Sequence, residues 1–120
     1  MNVICVGDIT KFRKTVDTMF QGGLRRIHHA ETGEEGIVLV SQLDYDVIIS
    51  DSHLLAMNGF EFFRGIREAN RNSMKILVVD NDESMSSEYV EQVGIDAVVS
   101  QVRSDQEFKR VLLSAISSTD

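Results

Sequence analysis

Short apolar runs of strand length alternate with segments of helical period along this chain, with no linker, low-complexity tract or internal repeat between them. Five strands alternating with five helices imply a parallel sheet covered on both faces. The strands expected are Asn2 to Val6, Leu24 to His29, the run Asp46-Val47-Ile48-Ile49-Ser50, Lys75 to Val79 and Ala97 to Ser100. The second has mixed composition and is the least regular.

Between the strands, Lys11 to Phe20 puts Phe12, Val16, Met19 and Phe20 on one helical face and stops at Gln21-Gly22-Gly23. Thr32-Gly33-Glu34-Glu35 has the capping-box pattern and predicts a helix running to about Leu43. A third helix is expected from Gly59 to about Ala69, using Phe60, Phe63 and Ile66, and a short fourth ends near Gly94. Ser104-Asp105-Gln106-Glu107 is a second capping box, opening a helix with Phe108, Val111, Leu112, Ala115 and Ile116 on one face.

At 120 residues the chain has the size of one domain, expected to span 1–120. A composition of 42% hydrophobic and 26% charged residues is that of a folded globular protein rather than a disordered one. No apolar run approaches the ~18 residues of a membrane span. Met1-Asn2-Val3-Ile4 lacks the basic and apolar stretches of a signal peptide, so the expected location is cytoplasmic. A net charge of −7 with scattered Lys and Arg argues against direct nucleic-acid binding. The single cysteine, Cys5, lies in the apolar run Val3 to Val6 and is expected to be buried and inert. There is no proline.

Right-handed crossovers bring the carboxyl tips of parallel strands together at one edge, where open α/β sheets place their chemistry. Asp8, Asp51, Asp80 and Gln101 follow the first, third, fourth and fifth strands and should converge there. Asp8 and Asp51 can jointly hold a hard divalent cation, typically Mg²⁺. A carboxylate beside such an ion can attack a phosphoryl donor and form an acyl phosphate. Plainer roles stand beside these. Asp51 can simply end a strand, Asp8 can cap a helix, and Asp80 can be a solvated loop acid. His28 and His29 are adjacent on a strand, so they point to opposite faces and cannot share one ion. The His53 side chain is close to Asp51 in sequence and is either a surface group or a local proton or metal group.

At these residues the chain resembles the receiver domains of two-component response regulators, from about Asn2 to Ser117. Val3-Ile4-Cys5-Val6-Gly7-Asp8 resembles the first strand with its acidic pair, and Thr32-Gly33-Glu34-Glu35-Gly36 the opening of the second helix. Asp46-Val47-Ile48-Ile49-Ser50-Asp51 is similar to the phosphoacceptor strand, and Met57-Asn58-Gly59-Phe60-Glu61 to the loop and helix after it. Gly94-Ile95-Asp96-Ala97 resembles the turn into the fifth strand. The resemblance implies a flavodoxin-like, doubly wound five-stranded parallel sheet in the order 2-1-3-4-5 with five helices. It further implies Asp51 as phosphoacceptor, Asp8 as the directly coordinating metal carboxylate and His53 as donor of a backbone carbonyl to Mg²⁺. The partners implied are a histidine kinase or phosphotransfer protein and a downstream protein target.

Six positions depart from the family pattern. Gly7 stands where the first acid is usual, and Leu55 replaces a common proline. Asp80 occupies the place of a phosphate-binding hydroxyl; an ionised carboxylate has no proton to donate and repels phosphate. Gln101 replaces the lysine that pairs with the phosphoryl group, and Val102 the proline after it. A cis bond before a non-proline residue costs ~2.5–4 kcal/mol, so that peptide is expected to be trans. Val98 fills the place of the switch aromatic. Arg103, two residues beyond Gln101, is a weak substitute for the missing cation. Three functions follow: a phosphorylatable receiver with a degenerate site, a pseudoreceiver that works by protein binding alone, and an aspartate-nucleophile phosphohydrolase. The last usually carries its DxD motif after the first strand, which this chain does not.

Overall fold

A computed structural model describes residues 2–7, 16–18, 26–79 and 87–100, together with helical residues at 106, 109, 110, 113 and 114. The described residues form seven strands: β1 (Asn2–Val6), β2 (Arg26–Ala30), β3 (Val47–Asp51), β4 (His53–Leu54), β5 (Met57–Asn58), β6 (Met74–Val79) and β7 (Ala97–Ser100). β4 and β5 form a separate antiparallel hairpin. The other five build one parallel sheet in the order β2-β1-β3-β6-β7. Counting only the strands of that sheet, this is the expected order 2-1-3-4-5.

The apolar runs form strands buried on both faces because alternate side chains enter different cores. Val3, Cys5, Val47, Ile49 and Ile76 join Val16 on one side of the sheet. Ile4, Val6, Ile48, Leu77 and Val79 meet Val40, Phe62, Phe63 and Val93 on the other. The helices Gly33–Gln42, Gly59–Gly65 and Ser87–Val93 thus share that second face. Phe62 and Phe63 are fully buried there, edge to face at 5.2 Å. Burying each contributes about 1.5–3 kcal/mol relative to exposure.

Thr32 starts the first of these helices as expected, its hydroxyl accepting from Glu35 N at 3.1 Å. Glu35 reaches back to Glu31 N at 3.2 Å. Some boundaries differ from expectation. β2 extends one residue past His29 to Ala30, its register pairing Asn2 with Arg26 and Val6 with Ala30, while Leu24 and Arg25 lie outside the described residues. The Gly59 helix ends at Gly65, short of Ala69. Beyond it Arg67 N donates to Arg64 O and Ala69 N to Ile66 O, tightening the chain into turns, and Asn70 turns back at φ 51°.

Asn70 is also a hub. Its Nδ2 donates to Val40 O and Leu43 O, the open carbonyls at the end of the Gly33–Gln42 helix, and its Oδ1 accepts from Tyr45 N. That network sets the entry into β3 and so the placement of Asp51. The expected helices at Lys11 to Phe20 and after Ser104 lie largely outside the described residues; 16–18 are helical, with Val16 buried.

Candidate functional site

The strand tips finish together. Val6 pairs with Ser50, Asp51 with Val78, and Val79 with Ser100. Asp51 is therefore at the carboxyl edge of a central strand, where crevices form in open α/β sheets. Asp8, Asp80 and Gln101, with Val102 and Arg103, lie outside the described residues, and so does their expected meeting with Asp51.

Asp51 is half-buried. The His53 backbone N–H donates to Asp51 Oδ1 at 3.2 Å, a side-chain turn that Asp forms readily with the residue two places on. Ser52 N donates to Val78 O at 2.9 Å and Ser52 O accepts from Gly59 N at 2.9 Å, so the loop after Asp51 is fastened to β6 and to the next helix. Within it, His53 pairs with Asn58 and Leu54 with Met57, around a turn with Ala56 at φ 66°. Asn58 then caps the helix, its Oδ1 accepting from Glu61 N at 2.8 Å.

Gly7 closes β1 with φ +93° and donates to Ala30 O at 2.8 Å. A side chain at this position meets two obstacles. Its Cβ would lie 2.5 Å from Leu54 Cδ2 and 3.0 Å from Asp51 Cβ, and the positive φ strains any L-residue. The space a side chain at residue 7 would fill is thus taken by the Leu54 methyl and Asp51 Cβ. Among the described residues no three His, Cys, Asp or Glu side chains group as metal ligands.

The model of the response regulator receiver domain family matches residues 3–112. The chain belongs to that family. The receiver domain is 31% identical over 67 residues to the cell cycle response regulator CtrA of Brucella ovis, an overlap of 56% of this chain and 29% of CtrA. The chain thus spans under a third of the curated relatives it matches. Among solved structures it is similar to the Francisella response regulator 1452 receiver domain, with a TM-score of 0.73, 21% identity and coverage of 99% and 98% of the two chains. The chemotaxis response regulator CheY4 of Vibrio cholerae gives a TM-score of 0.72 at 22% identity, covering 95% and 97%. At these identities the structures speak to the fold.

Other residues of the receiver domain take plainer places. His28 Nδ1 and the Tyr45 hydroxyl are 2.7 Å apart, and His29 Nε2 stands 3.4 Å from Asp17 Oδ1, so the two histidines have separate partners. Cys5 is buried. Val98, in the switch position implied by the resemblance, is 40% exposed on β7. The His53 side chain is exposed. Two groups with displaced pKa values lie at the opposite sheet edge. Burial pushes the Tyr45 hydroxyl above its ordinary value and pulls the Lys75 ammonium below its own, the latter partly offset by Asp96.

Sequence reasoning missed Leu54 and Gly59, which shape the walls around Asp51. The glycine at position 7 was a signal for Leu54, since an absent side chain leaves room for a neighbour. Gly59 starts the helix as its pattern indicates, and its closeness to the Asp51 backbone is a tertiary contact without a local pattern.

Proposed function

We propose that this receiver domain, a two-component signalling module by family, accepts a phosphoryl group on Asp51 from a histidine kinase or phosphotransfer protein and passes its state to a downstream protein target. An Asp51 oxygen forms the new O–P bond as the donor's P–N bond breaks, and the released imidazole keeps that electron pair. The observation that supports this reading is Asp51 at the carboxyl tip of a central strand, its carboxylate oriented by the His53 N–H. Asp8, Asp51 and the His53 carbonyl are the proposed holders of Mg²⁺, which when bound would offset charge on the transferring group. Chemistry is confined to forming and losing the aspartyl phosphate; receiver domains generally act as signalling modules rather than enzymes.

The transfer is proposed to be slow. Gly7 contributes no acid, Asp80 no hydroxyl and Gln101 no cation, and preorganised charge at such positions is what stabilises a transferring phosphoryl. A cytoplasmic location is proposed with it; no described helix is long and apolar enough to cross a membrane.

A pseudoreceiver, binding a partner without phosphate chemistry, is the second reading. It is favoured by Leu54 over Gly7, which sets an apolar group beside Asp51, and by the aliphatic, exposed Val98. Amide NMR with beryllofluoride and Mg²⁺ separates the two. Shifts at Ser52, His53 and Gly59 that vanish in Asp51→Asn support phosphate acceptance, and an unchanged spectrum supports the pseudoreceiver.

A further inference from the structure

Leu54 and Met57 face each other across the β4–β5 hairpin, and each leans over a glycine. Leu54 Cδ2 and Asp51 Cβ flank the point above Gly7 where a Cβ would stand, at 2.5 Å and 3.0 Å from it. A Cβ on Gly33 would overlap Met57 Sδ and lie 3.1 Å from Leu54 Cδ1. Both hairpin side chains pack against the core that contains Ile4, Val6 and Phe62. The base of the hairpin is tied by the Gly59 N to Ser52 O bond. Its tip, Leu55, is 76% exposed. The inner face of the hairpin is therefore seated in two glycine sockets, while its turn stands in solvent.

We infer that Leu54 is a cover for Asp51: seated in the Gly7 socket, it shields the side of Asp51 that faces residue 7. Bare backbone at residue 7 is what admits the Leu54 methyl into the space that Asp51 Cβ also borders. The contact atoms, Leu54 Cδ2 and Met57 Sδ, are the ends of flexible side chains, so uncovering Asp51 needs rotamer changes rather than a shift of the sheet. The consequence for signalling rests on Asp51 being the phosphoacceptor. The cover itself does not.

Carboxylate labelling measures the cover without any phosphoryl transfer. The full chain is treated with a water-soluble carbodiimide and a neutral amine, and amide formation at each carboxylate is followed by peptide mass spectrometry. Leu54→Ala should speed labelling of Asp51 severalfold, because the isopropyl end of the covering side chain is removed. Half-buried Asp17, held near His29, should keep its rate, which a general loosening of the fold would not allow, while exposed Glu34 and Glu88 give the unhindered rate. Leu54→Met should retain the parent rate at Asp51, and Leu54→Val, a smaller change in case the alanine variant fails to fold, should fall between. Equal Asp51 rates in the parent and in Leu54→Val or Leu54→Ala overturn the proposal. Faster labelling of the variants, in a domain that no phosphodonor modifies, would leave the cover standing and remove the phosphoacceptor reading instead.

Discussion

Gly59 lies directly against the backbone of Asp51: a Cβ on Gly59 would stand 2.7 Å from the Asp51 carbonyl oxygen and 2.5 Å from Leu77 Cδ1. The helix that begins at Gly59 is thereby docked on the tip of β3 with no side chain between them. The obstruction on one side is main chain, which cannot rotate away as Leu77 can.

Gly59→Ala should therefore cost about 2 kcal/mol, in the range for overpacked sites and despite the better helix propensity of alanine. Gly94→Ala supplies the comparison. Its backbone has φ +85° but nothing lies within 4 Å of an added Cβ, so only conformational strain of about 1 kcal/mol is expected. Urea denaturation of both variants should rank Gly59→Ala as the more damaging. The reverse order would mean that the helix does not sit so close to β3.

Asn70→Ala should destabilise the domain by about 2–3 kcal/mol, since it leaves the Tyr45 N–H and the Val40 and Leu43 carbonyls without their partner. Loss of the left-handed preference at φ 51° adds to this. Chemical denaturation gives the number, and a loss within experimental error of zero would contradict the hub.

Lys75 carries a pH dependence whose sign follows from its burial. Its Nζ donates to Asn70 O and Ser73 Oγ at 3.0 and 3.1 Å, and desolvation holds its pKa below the ordinary 10.5. Between the folded value and 10.5 the unfolded chain binds more protons than the folded one. The stability attributable to Lys75 therefore rises as pH climbs through that window. Lys75→Met lacks the titration, while Tyr45 titrates in both proteins. Urea midpoints of parent and variant should move apart in the parent's favour between about pH 7 and about pH 10. A constant gap would show that the ammonium is not desolvated.

Much of the fold was legible because its signals are local. The all-apolar runs at Val3 to Val6 and Val47 to Ile49 announce strands buried on both faces, and Thr32 with Glu35 announces a helix start. The end of the Gly59 helix was not legible, because Asn70 stops it by bonds to Val40 and Leu43, more than twenty residues away in sequence. The β4–β5 hairpin was hidden for a similar reason: Leu54 and Met57 read as loop residues until Gly7 and Gly33 are seen beneath them. The place of Asp51 at a strand tip was legible from its strand, while the contact between Leu54 and residue 7 joins two segments that no local pattern connects.

Asp80→Thr with Gln101→Lys restores the hydroxyl and the cation that the family resemblance implies at those positions. The double variant should be phosphorylated faster by a small phosphodonor than the parent, as expected when charge stabilisation is returned to the transferring group. Stopped samples on phosphate-affinity gels give both rates, and identical rates would mean that neither residue faces Asp51.

The most direct measurement is the time course of modification of the parent chain by a small phosphodonor with Mg²⁺, on the same gels and beside Asp51→Asn. Slow, incomplete conversion that disappears in Asp51→Asn is the predicted result. Rapid and complete conversion, or a shifted band that persists in Asp51→Asn, would contradict a degenerate receiver that uses Asp51.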